Sequence, residues 1–189
     1  MASKQLGDKL RAARAAKPEW QLEPALLLCP NIPKPLHGVA PRVILGTKWW
    51  NTTRQAAYAS TGYKCQACGV PKYRAKLHQW LEAHEQYDTD YLLGRMTYLR
   101  AVPLCHYCHN YIHSGRLQAL RDKEEIPASL YDEIIQHGDR LLQRWGLTKP
   151  PTYNGPMAAW GTWRLVLNGK LYPPKFKTLK EWEKEFSRD

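Results

Sequence analysis

The hydrophobic pattern changes period several times along the 189 residues, and each change predicts an element. Met1 to Glu19 is rich in Ala, Lys and Arg, with Leu6 and Leu10 at helical spacing, and reads as a basic, frayed arm. It lacks the apolar stretch of a secretory signal. Residues 17–46 hold Pro18, Pro24, Pro30, Pro33, Pro35 and Pro41, which predicts an extended, irregular lead-in. Leu26, Leu27, Leu28, Ile32, Leu36, Val43, Ile44 and Leu45 predict that it wraps onto a core.

Thr47 to Ser60 reads as a helix ended by Gly62, with Trp49, Trp50, Ala57 and Tyr58 available for packing. Leu77 to Tyr87 is compatible with strand or helix. Its alternation fits a short strand with His84 on the face opposite Leu81. Asp88 to Arg100 is expected as a loop with some helical content, and Ala101 to Leu104 as a second strand. His106 to Ser114 is expected as a helix stopped by Gly115. Ile126 to Trp145 shows the clearest helical stripe, through Leu130, Ile134, Leu141 and Trp145, with Gly146 as its C-cap. Trp163 to Leu167, Asn168-Gly169 and Lys170 to Tyr172 predict a hairpin with a type I′ turn. Thr178-Leu179-Lys180-Glu181 is a capping-box pattern opening a last short helix.

Composition narrows the function classes. Hydrophobic residues are 43% and charged residues 24%, the balance of a soluble globular chain. No apolar run approaches the ~20 residues of a membrane-spanning helix, so no membrane partner is expected. Lys and Arg number 28 against 17 Asp and Glu, a net charge of +11 that favours a polyanionic partner, most often nucleic acid. From Lys149 onward the tail has seven aromatics and eight Lys or Arg. It reads as a small aromatic core with solvated lysines, or as a base-stacking surface.

The five cysteines are Cys29, Cys65, Cys68, Cys105 and Cys108. An odd count without a signal segment does not fit a disulfide framework and points to a reducing cytoplasm. Two C-x2-C pairs separated by 36 residues fit a closed, tetrahedral, structural zinc site of four thiolates. Gly69 after the second Cys permits the tight turn that aims both sulfurs at one ion. Cys29 is expected as a small buried hydrophobe, and His78 and His137 as surface groups.

Beside the second pair, Cys108-His109-Asn110-Tyr111-Ile112-His113 places two imidazoles at i and i+4 of one helix. They point about a quarter-turn away from Cys105 and Cys108. One helix can then hold zinc on one face and a second, open ion on another. A hairpin packed on that helix brings His84, flanked by Glu82 and Glu85, opposite His109 and His113.

The segments L-E-A-H-E at 81–85 and V-P-L-C-H-Y-C-H-N-Y-I-H-S-G at 102–115, after the Y-K-C-Q-A-C-G knuckle, resemble the zinc-stapled HNH, or ββα-metal, endonucleases of phages and bacteria. The resemblance covers residues 50–116. It implies an α+β fold: a ββα-metal core stapled by four cysteines, with flanking helices and a C-terminal hairpin plus helix. Together with the elements read from the pattern, the expected segments are an arm and lead-in over 1–46, an HNH-like core over 47–118, a helical extension over 119–148 and the hairpin with its helix over 149–189. The implied activity is metal-dependent hydrolysis of phosphodiester bonds in DNA, in the cytoplasm of a bacterial or phage-infected cell.

In that family the strand supplies a metal ligand and a general base in adjacent positions, and the helix supplies further ligands. Carried over, His84, His109 and His113 hold Mg²⁺, Mn²⁺ or another divalent ion, and Glu85 is the base. Glu82 supports this register, matching the family's Leu-Glu-x-His frame. In the alternative register His84 is the base and Ala83 occupies the ligand slot. Arg100 stands where the family commonly has Asn and is assigned to the phosphate charge. Arg54, Lys72, Arg74, Lys76, Arg95 and Arg116 are expected phosphate contacts, with Arg42 and Lys48 beside them. The strand's Glu85 and the missing Asn also fit a second function: an HNH-like zinc module that has lost catalysis and binds nucleic acid or a protein.

Overall fold

The computed structural model describes residues 20–151 and 153–186; the basic arm lies outside the described residues. The fold is mixed α+β, with five α-helices and one four-stranded sheet among the described residues. Helix α1 spans Pro41–Ser60, strand β1 Glu82–Asp90 and strand β2 Arg95–Leu104. Helices α2 (His106–Ile112), α3 (Ser114–Asp122) and α4 (Ala128–Arg144) follow. Strands β3 (Arg164–Leu167) and β4 (Lys170–Tyr172) and helix α5 (Leu179–Phe186) complete it. No helix among the described residues is long and apolar enough to cross a membrane.

The lead-in is not extended throughout. It forms 3₁₀ turns at Pro24–Leu28 and Lys34–Leu36, then enters α1 at Pro41. Helix α1 kinks at Gly46, whose φ of 79° a side chain would resist, so the helix expected from Thr47 is its second segment. The stretch 88–100, expected as a loop, is mostly strand. Strands β1 and β2 pair antiparallel, Glu82 opposite Leu104 and His84 opposite Val102, with a bulge between Gln86 and Tyr87. Asp90 closes the hairpin by accepting bonds from the N–H groups of Leu92 (3.0 Å) and Leu93 (2.9 Å). Asp88 and Asp90 carry little strand propensity, and pairing with β2 overrides it.

Gly115 does not stop a helix. The chain breaks at His113 (φ −90°, ψ 39°) and resumes helix at Ser114, with Gly115 in the first turn of α3. Helix α4 matches its expected span, but Trp145 is half exposed. The buried face of α4 is Ile134, Gly138, Leu141 and Leu142. A Cβ at Gly138 would meet the ring of Tyr111 at 2.1 Å, so glycine there sets how closely α4 approaches α2. The tail hairpin forms as expected. Asn168 and Gly169 both have positive φ (51° and 74°), and β3 also joins β2 in parallel, making the tail part of the same sheet.

Two apolar clusters hold these elements. One gathers Leu26, Leu27, Val102, Leu104, Tyr111 and Ile134 around the cysteines. The other joins Leu36, Val39, Met96, Trp163 and Leu165, so the tail supplies Trp163 and Leu165 to a mixed core. Burial of each such side chain contributes about 1.5–3 kcal/mol. The lead-in and tail therefore brace the β-hairpin from outside its own sequence.

Candidate metal centres

The knuckle before β1 is shaped by backbone bonds. The N–H of Cys65 donates to Val70 O (2.9 Å) and that of Gly69 to Cys65 O (2.8 Å). Gly69 has φ of 78°, which keeps the turn tight. Cys105 is the N-cap of α2, and Cys108 lies one turn further. All four sulfurs, from Cys65, Cys68, Cys105 and Cys108, fall within 4.8 Å of one another. Cys68 Sγ to Cys105 Sγ is 3.8 Å, matching the ~3.8 Å edge of a tetrahedron with Zn–S bonds of ~2.3 Å. Burial raises the Cys65 thiol, but hydrogen bonds from the other three sulfurs pull it well below its ordinary value. Hydrogen bonding to Cys105 and to the other two sulfurs pushes Cys108 up. Four thiolates this close repel one another unless a cation shares them, which fits the group to a metal such as zinc.

His137 is not a simple surface group. Helix α4 sets its Nε2 3.4 Å from Cys108 Sγ, a contact between positions 29 apart. Its ring lies edge-on to Tyr107.

The second cluster forms where β1 crosses the end of α2. His84, His109 and His113 offer nitrogens within 4.8 Å of one another. Ring centroids are 5.5 Å apart for His84 and His109, 5.1 Å for His84 and His113, and 4.8 Å for His109 and His113. Burial, followed by the charges of His113 and His109, pushes His84 down to about 3. Burial, then His109, Arg116 and Arg42, pushes His113 down to about 4. Both rings are therefore neutral at pH 7, the state in which imidazole offers a lone pair to a metal.

Glu82 orients this cluster. Its Oε2 lies 2.5 Å from His109 Nδ1 and its Oε1 2.7 Å from His106 Nδ1. Burial would raise its carboxyl, but the hydrogen bonds from His106 and His109 hold it far below the usual carboxylate range. With Nδ1 so engaged, His109 presents Nε2 to its neighbours, the arrangement by which a carboxylate fixes a ligating imidazole. The signal for Glu82 was in the strand period, because residues 82 and 84 share a face.

The cluster opens into a cavity of about 300 Å³. Arg42 of α1 and Arg116 of α3 line it together with Glu85 and the three histidines, and the lead-in at 29–32 forms another wall. Glu85 is 8% exposed. Its Oε2 accepts the Tyr87 hydroxyl at 3.1 Å and lies 3.9 Å from Arg42 Nη1. Burial and then the Glu85 charge drive the Tyr87 hydroxyl above its ordinary value, so it keeps its proton and donates. Glu85 Oε1 is buried without a partner, the one such side-chain oxygen among the described residues.

Other expected site residues lie elsewhere. Arg100 pairs with Glu23 and donates to Gln86 Oε1 (2.9 Å), outside the cavity lining. Arg54 donates to Asn51 Oδ1 (2.9 Å), Lys72 covers Tyr63, and Lys76 pairs with Glu133 at 3.6 Å. Arg74 sits on the 3₁₀ turn before β1, and Arg95 begins β2 opposite Arg164. Of the six expected phosphate contacts, only Arg116 reaches the cavity. Cys29 is half-buried, packed against the first apolar cluster and also part of the cavity wall, and burial raises its thiol. His78 stacks on Trp80 at 4.0 Å. The chain matches no known family, no curated protein and no solved structure.

Proposed function

We propose that this protein is a metal-dependent endonuclease of the HNH type that hydrolyses phosphodiester bonds of DNA. The observation that carries the reading is the convergence of His84, His109 and His113 on a cavity walled by Arg42, Arg116 and a buried carboxylate. Three imidazoles, His84 and His113 among them held neutral by burial, fit a divalent ion with open positions, and they favour Mn²⁺, Ni²⁺ or Zn²⁺ over Mg²⁺. Such an ion supplies positive charge to a phosphate oxygen.

The chain's own residues supply the rest. Arg42 and Arg116 bind the scissile phosphate and balance the charge that grows on it, the role first expected of Arg100. Glu85 Oε1 accepts a proton from the attacking water, since it is the carboxylate oxygen left without a donor. Tyr87 holds the other oxygen and fixes the carboxylate plane. Glu82 keeps His109 in one tautomer. The four-sulfur site, holding zinc, keeps α2 against the hairpin.

The test is nicking of supercoiled plasmid by folded, zinc-loaded protein given Mg²⁺, Mn²⁺ or Ni²⁺. Open-circular product that disappears in Glu85→Gln and His113→Ala supports the assignment. Absence of nicking with every ion sinks it. Salt-sensitive DNA binding without nicking instead selects the non-catalytic zinc module.

A further inference from the structure

Residues 62–81 contain Lys64, Lys72, Arg74 and Lys76 and no Asp or Glu. Interleaved with these cations are three aromatics: Tyr63 is 42% exposed, Tyr73 65% and Trp80 55%. Lys76 is matched by Glu133 of α4. Lys64, Lys72 and Arg74 have no carboxylate partner among the described residues; Lys64 lies over Trp20 and Lys72 over Tyr63. Exposed rings interleaved with cations that have no carboxylate partner make a surface suited to bases and phosphates. The finger is also stiff. Lys64 bridges Pro71, Lys72 N–H donates to Tyr63 O (3.0 Å), and Cys65 and Cys68 belong to the four-sulfur cluster.

The inner end of this finger contacts His106, which Glu82 links to the histidine site. The Trp80 ring is stacked on His78 with 5° between planes, and His78 meets His106 edge-on at 4.8 Å. His106 shares Glu82 with His109. One ring, His106, and one carboxylate, Glu82, thus connect the Trp80–His78 stack to His109, on the side of the site where a bound strand can continue from the imidazoles. A paired base inside a duplex cannot offer its face to such a ring, whereas an unpaired base can.

From this juxtaposition we infer that the finger at 63–80 is a stacking platform for unpaired bases, and that single-stranded DNA is the preferred nucleic acid. The inference deepens the nuclease reading and rests on it for the path of the strand. Binding of a fluorescent single strand and of its duplex, by anisotropy in zinc-loaded protein without added divalent ion, tests it without cleavage. The single strand is expected to bind about tenfold tighter than the duplex. Trp80→Ala and Tyr73→Ala each weaken single-strand binding about tenfold, and Trp80→Phe restores most of it. Duplex binding stays unchanged in all three variants. Equal affinity for both forms, or single-strand binding indifferent to both alanine variants, overturns the platform. If plasmid is never nicked but these binding differences hold, the nuclease reading falls and the platform stands.

Discussion

The four sulfurs and the three imidazoles are packed to the same limit, within 4.8 Å in each cluster, yet their surroundings are opposite. The sulfur cluster sits in the apolar core among Leu26, Leu27 and Leu104. Its donors are thiols that bind a metal as thiolates, so an ion there is enclosed and serves the fold. The imidazoles face a cavity and have arginines across from them. An ion there keeps positions free for a ligand. The seven-residue helix α2 carries Cys108 and His109 side by side. The first cluster therefore acts as the ruler that positions the second.

The comparison can be broken at either end. Cys105→Ser should have the largest effect, because structural zinc contributes on the order of 10 kcal/mol to small zinc-dependent folds. The expected result is loss of bound zinc and of the cooperative thermal transition, read by metal analysis and circular dichroism. A variant that stays folded without metal would show the cluster to be dispensable. His113→Ala should behave oppositely: zinc and fold kept, Mn²⁺ binding by calorimetry lost, and nicking reduced about a hundredfold or more.

Acid sharpens the contrast. His84 and His113 titrate near 3 and 4 in the folded chain, against about 6.5 when unfolded. Between these values the unfolded state binds more protons. Their contribution is complete above about pH 6.5 and is lost as pH falls toward 3. Glu82, also depressed, loses its contribution in the same direction. The loss for the two rings together should reach several kcal/mol, at ~1.4 kcal/mol per unit. Urea titrations should show it shrinking in a His84→Ala, His113→Ala double variant, and an unchanged pH slope would contradict the burial of these rings.

The mildest expected change is Glu82→Gln. One amide oxygen cannot hold both His106 and His109, so Mn²⁺ affinity should fall about 10- to 100-fold while zinc content stays constant. Parallel loss of both metals would instead make Glu82 a support of the whole fold.

Much of the site was legible because its signals are short-range. The paired cysteines, His109 and His113 one helical turn apart, and the Asn168-Gly169 turn each depend on local geometry alone. Arg100 was not legible in the same way. Its position beside β1 is local, but its partner Glu23 lies 77 residues away, and that pairing diverts the guanidinium from the cavity. His137 likewise gives no local sign of reaching Cys108.

By itself, the sequence determined the donor sets, the basic charge, the span of α4 and the tail hairpin, because spacing and periodicity act over a few residues. Only the tertiary structure decided which charges face the imidazoles. Arg42, Glu85 and Arg116 come from three separate elements, and their convergence follows from how α1, β1 and α3 pack. The parallel seam between β2 and β3 belongs with them, since it joins Arg95 to Arg164 across a long stretch of chain with no mark in either strand. Local preference selects an element, but burial of shared apolar surface selects its neighbours.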